Sequence, residues 1–153
     1  MAVTLEQSAA ITDFLSAVEK LRKLGVIQSD RYLGDLGELL VKEEYGVELA
    51  LSQRQQGYDT KGDENRAQIK FQNSAKRTNL ILGSPDDYDR IIVVLGPDSL
   101  LHPQGAHAGA YCFYEFSSAH VREHFTRALG FSCGKSYFGQ PQRVRRLSGD
   151  IGA

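Results

Sequence analysis

The chain has 153 residues, 41% of them hydrophobic and 24% charged, with a formal net charge of −1. That length supports one respectable core and is short for two; the balance excludes a disordered polyelectrolyte and a protein that coats nucleic acid through bulk positive charge, while leaving room for a locally basic cleft. Cys112 and Cys133 lie far apart without CxxC spacing, the N-terminal stretch has no basic segment followed by an apolar run, and no window reaches the ~18 apolar residues of a membrane span, so a cytoplasmic protein with no membrane partner is expected.

Over residues 4–24, Leu5, Ala9, Ile11, Phe14, Leu15, Val18, Leu21 and Leu24 recur at three- and four-residue steps, predicting an amphipathic helix that Gly25 closes. Ser29 or Asp30 then caps a second helix through about Tyr45, with Leu33, Leu36, Leu40 and Glu44 near one line and Gly46 as its stop. Residues 47–52 alternate as a strand does. Residues 57–60 and 66–72 flank the polar cluster Lys61-Gly62-Asp63-Glu64-Asn65 and predict a hairpin. On its second arm Ala67, Ile69 and Phe71 point one way and Gln68, Lys70 and Gln72 the other. Residues 73–89 read as a loose connection. Residues 90–95 read as a central strand buried on both faces, 96–109 as a loop and 110–116 as a further strand. Ser117 or Ser118 caps a helix to about Leu129, and the tail is irregular. This order predicts a mixed sheet flanked by helices, an α/β sandwich in one domain.

The hairpin carries the chemistry. A turn centred on Asp63 and Glu64 sets Asp59 opposite Gln68, on one face with Lys70. A carboxylate and an amide carbonyl are hard oxygen donors suited to Mg²⁺ or Mn²⁺. The Lys70 ammonium is suited to orient or help deprotonate an attacking water, or to stabilise charge on a scissile phosphate. The bland alternative for Asp59 and Lys70 is an exposed cross-strand ion pair of small energetic value.

Gly57-Tyr58-Asp59, the polar turn and Gln68-Ile69-Lys70 resemble the core motif of the PD-(D/E)xK nuclease superfamily, in the Gln form similar to Mrr-like type IV restriction endonuclease domains. The resemblance covers roughly residues 31–125. It implies a restriction-endonuclease-like α/β/α sandwich with a mixed central sheet, laid out as an N-terminal helix over 1–29, a core over 30–130 and a C-terminal extension over 131–153. It also implies catalytic residues Asp59, Gln68, Lys70 and Glu38, the last from the helix Gly34-Asp35-Leu36-Gly37-Glu38-Leu39-Leu40-Val41, with Asp59, Gln68 and Glu38 holding Mg²⁺ or Mn²⁺. The implied activity is phosphodiester hydrolysis in DNA, by a homodimer in many proteins of this fold. At 100° per residue Glu38 falls outside the Leu33/Leu36/Leu40 stripe, with Gly34 one turn back leaving space beside it. Tyr58 stands where the motif has Pro, and Gln68 replaces the second acid, which removes a negative charge from the metal site.

Gln72, Lys76 and Arg77 are the expected nucleic-acid contacts, and Arg143, Arg145 and Arg146 form a second basic cluster. Tyr137 and Phe138 read as packing rather than as a base-stacking pair, and His120 and His124 as surface histidines rather than a metal pair. His102 and His107 sit in a Gly/Pro loop with no spacing that assigns them to a site. Two readings compete with the nuclease: a catalytically silent module that binds nucleic acid or protein, favoured by Gln68, and a small globular protein with no nucleic-acid role, favoured by the net charge.

Overall fold

The computed structural model describes residues 3–25, 34–50, 58–61, 64–103, 107 and 109–147. Helix α1, Leu5–Lys23, begins at a capping box: Thr4 Oγ1 accepts the Gln7 N–H (3.1 Å) and Gln7 Oε1 accepts the Thr4 N–H (2.9 Å). It ends at Gly25, whose φ of +73° suits a residue without a Cβ. Helix α2, Gly34–Tyr45, ends likewise at Gly46, φ +65°. Ser29, Asp30 and Leu33 lie outside the described residues.

The main sheet holds β1 (Ala67–Gln72), β3 (Arg90–Leu95), β4 (Tyr111–Ser117) and β7 (Arg143–Arg145) in the order β1-β3-β4-β7. β1 and β3 run parallel and the other pairs antiparallel, so the sheet is mixed. A second, antiparallel sheet holds β2 (Asn79–Ile81), β6 (Gly130–Gly134) and β5 (Thr126–Arg127). Helix α3, Ser118–His124, bridges β4 and β5, and a 3-10 turn, Lys135–Tyr137, follows β6.

The alternation of β3 explains its unbroken apolar run. Ile92 and Val94 join Leu40 and Val41 of α2 and Phe113 of β4 in one core; Ile91, Val93 and Leu95 join Leu80, Val121, Phe125 and Cys133 in the other. Each such side chain contributes roughly 1.5–3 kcal/mol of burial, so β3 anchors both layers. The helices α1 and α2 cover one face, with Ile11 and Leu15 of α1 packed on the cluster. The opposite face is covered by the small sheet and the short α3.

Four sequence expectations change. The second covering layer of the expected α/β/α sandwich is largely β. The helix from Ser117 stops at His124 rather than Leu129, because Phe125 is fully buried as its C-cap and residues 126–131 turn back as a hairpin through Gly130, φ +134°. Where an irregular tail is expected, residues 130–147 carry β6 and β7, one strand in each sheet. Within residues 73–89, β2 supplies a strand where only a connection is expected.

The predicted strand over 47–52 is described to residue 50. Leu49 and Thr60 form an antiparallel bridge, with Ala50 N–H donating to Asp59 O and Lys61 N–H to Glu48 O, each at 2.8 Å. Leu51, Ser52, Gly57, Gly62 and Asp63 lie outside the described residues.

Candidate active site

Asp59 sits where its short segment meets β1. Its N–H donates to Ala67 O (2.8 Å), one residue from the expected partner Gln68. Thr60 Oγ1 accepts the Ala67 N–H (2.9 Å), and Asp59 Oδ2 accepts the Ile69 N–H (2.8 Å). The expected pairing of Asp59 with Gln68 is therefore corrected: side-chain oxygens of Asp59 and Thr60 replace rungs of a regular ladder along this edge of β1. The Asp59 carboxylate is turned to the β1 backbone, within electrostatic reach of Lys70.

Burial holds the Asp59 carboxyl above the ordinary aspartate value, against the opposing pull of the Ile69 amide and the Lys70 ammonium. Gln68 is half-buried, and its Nε2 donates to Ile69 O (3.3 Å). That use of the nitrogen leaves the amide oxygen, which accepts no hydrogen bond among the described residues. Lys70 is half-buried and forms no ion pair with a described residue.

Lys70 lines a cleft of about 550 Å³ that wraps the edge of β1, together with Gly34, Phe71, Gln72, Arg77, Asn79 and Ile81. Gly34 brings α2 to this cleft, and Glu38, half-buried, lies one turn further along the same helix face. α2 approaches β1 closely because Gly37 has no side chain: a Cβ there would stand 2.7 Å from Phe71 Cβ.

The expected nucleic-acid contacts divide. Gln72 is 1% exposed; its Oε1 accepts the Ser99 hydroxyl and its Nε2 donates to Ser74 O (3.3 Å). Its amide is spent inside the fold, which corrects its assignment to phosphate. Lys76 and Arg77 are exposed on a turn that Ser74 organises, its Oγ accepting both of their N–H groups at 3.2 and 3.1 Å. Of the two, Arg77 lines the cleft.

The C-terminal arginines have structural employment: Arg145 pairs with Glu44 of α2, and the Arg143 guanidinium lies 4.1 Å from the Tyr45 ring centroid. Phe138 is buried, and His102 is buried against the Gly96 carbonyl. The His120 and His124 rings lie against each other, tilted by 42° with 4.4 Å between centroids. No group of three His, Cys, Asp or Glu side chains able to hold a metal occurs among the described residues. No described helix is long and apolar enough to cross a membrane. Sequence reasoning overlooked Asn79, Ile81, Arg127 and Leu129, which line this cleft or its neighbour; the short strands that carry or adjoin them give no periodic signal in the sequence.

Comparison with protein-family models and with curated proteins finds no match to this chain.

Proposed function

We propose that the chain is a metal-dependent nuclease of the PD-(D/E)xK kind, hydrolysing phosphodiester bonds in DNA at the cleft beside β1. The observation that carries this reading is a partly desolvated carboxylate, Asp59, within electrostatic reach of Lys70, a cation that lines an open cleft and forms no ion pair with a described residue. An exposed ion pair, the bland alternative, does not account for that cleft.

The donor chemistry fits a hard divalent cation. Asp59 keeps one carboxylate oxygen clear of the Ile69 N–H and the Gln68 amide turns its nitrogen to Ile69 O; in this reading Glu38, one turn along α2 from Gly34, is the second carboxylate. Bound there, Mg²⁺ or Mn²⁺ supplies Lewis-acid stabilisation of charge on phosphate oxygens. Lys70 orients the attacking water and lends positive charge to the phosphate, while Arg77, along the same cleft, holds the substrate backbone. The Ile69 N–H fixes the orientation of the Asp59 carboxylate, so that little reorganisation is needed when the substrate arrives.

A second reading, a silent binding module, is favoured by Gln68 in place of an acid and by the hydrogen bond already made by Asp59 Oδ2. Calorimetric titration of Mn²⁺ into wild type and Asp59→Asn separates the two. The nuclease reading expects saturable binding that Asp59→Asn weakens by about 10-fold or more; equal, non-saturable heats in both proteins support the silent module.

A further inference from the structure

The cleft at Lys70 continues beyond the candidate active site. A second cleft of about 480 Å³ shares Asn79 and Ile81 with it and extends across the outer surface of the small sheet to Arg127 and Leu129. The joint lining contains three cations, Lys70, Arg77 and Arg127, and no Asp or Glu among the described residues. In a chain with 19 acids and 18 bases such segregation gives one locally positive track. The Arg127 guanidinium is held by neutral groups, donating to Thr126 O (3.0 Å) and lying 5.7 Å from the Tyr137 ring centroid. Its charge is therefore oriented without being neutralised.

The track also carries exposed apolar side chains. Ile81 is 72% exposed and Leu129 fully exposed, although β2 and the β5–β6 hairpin have a core at hand that takes Leu80 and Cys133 instead. A duplex buries its base faces in the stack, so apolar side chains meet its bases only as groove-edge contacts or wedges between steps. A single strand offers both phosphates and unstacked bases.

We propose that this track binds a single-stranded stretch of nucleic acid, leading it from Lys70 past Arg77 to Arg127, with phosphates on the arginines and bases against Ile81 and Leu129. The proposal rests on the nuclease reading only for what happens at Lys70, which would make the substrate a single strand, a flap or a frayed end.

The test is fluorescence anisotropy of the full chain with a labelled single strand of about 16 nucleotides and with the matching duplex, in EDTA. Proteins compared are wild type, the double variant Arg77→Ala/Arg127→Ala, Leu129→Ser, and Lys42→Ala as an exposed control on α2. Expected are tighter binding of single strand than duplex, and a loss of about 10-fold in the double variant. The salt slope of that variant falls by about 1.4, at roughly 0.7 per phosphate contact. Leu129→Ser loses about threefold or more on single strand alone, and Lys42→Ala is unchanged.

Single-strand affinity indifferent to all groove variants overturns the proposal, as does preferential duplex binding. A change of mass by light scattering in Leu129→Ser, with oligonucleotide affinity unchanged, identifies a protein interface and overturns it too. Groove-dependent binding without metal-dependent cleavage leaves this proposal standing and removes the nuclease reading. Cleavage that needs Lys70 but ignores the groove variants does the reverse.

Discussion

Asp59 has two roles that favour opposite protonation states. As a metal ligand it must be ionised, yet burial raises its pKa in the fold above the unfolded value of 3.8. A raised acid binds its proton more tightly when folded. The cost to stability is therefore absent well below pH 3.8, grows as pH rises, and is complete above the folded pKa. Asp59→Asn removes that cost while its side-chain oxygen still accepts the Ile69 N–H. The expected Tm at pH 7 is equal to wild type or higher, with any gain vanishing at about pH 3; a marked fall in Tm at pH 7 would show that the ionised carboxylate stabilises the fold. The same raised pKa predicts that Mn²⁺ affinity begins to fall at a higher pH on acidification than for an ordinary aspartate, readable by titration at stepped pH. The strand that carries Lys70 was legible in the sequence from its period-two alternation. The fate of Gln72 was not: period two gives the face of a strand but not depth, and the chain passing through Ser99 encloses its amide.

Elements were legible where their length gave periodicity room to act. α1, α2 and β3 follow their patterns, and Gly25 and Gly46 stop the helices as expected. The helix after Ser117 was overextended because Val121, Phe125 and Leu129 keep four-residue spacing; Phe125 is fully buried and Leu129 fully exposed, so the register of a helix is imitated by a turn of helix followed by a hairpin. β2, β5 and β7, of two or three residues, are too short to show alternation. The contact between α2 and β1 makes a prediction of its own. Alanine at Gly37 gains about 1 kcal/mol of helix propensity, but its Cβ meets Phe71 Cβ at 2.7 Å, both groups lying close to the backbone where neither can swing aside. Overpacking of this kind costs roughly 1–3 kcal/mol. A lower urea midpoint with unchanged m-value is expected for Gly37→Ala; a higher midpoint would mean that α2 rides freely over the sheet.

At the scale of the molecule, the sheet is closed by its last strand. β7 pairs with β4, and Arg145 reaches across to Glu44, linking the helical layer to a segment 101 residues later in the chain. With side chains 23% and 16% exposed, this pair is neither a screened surface contact nor a fully buried one. Arg145→Met leaves Glu44 half-buried and unpaired, and about 1–3 kcal/mol is lost by urea denaturation; no measurable loss would mean that β7 is held by its backbone alone. A mixed sheet covered on both faces was legible from element order, while the largely β character of the second covering layer was not, since it assembles from strands distant in sequence. That same small sheet forms the track leading away from Lys70, so the part of the fold hardest to read carries the proposed substrate path. The central claim is tested most directly by incubating wild type and Lys70→Ala with single-stranded, flapped and duplex DNA in Mg²⁺, Mn²⁺ or EDTA. The account predicts cleavage that requires metal and falls by about 10²-fold or more without the Lys70 ammonium. Intact DNA under every condition, or cleavage indifferent to Lys70, would contradict it.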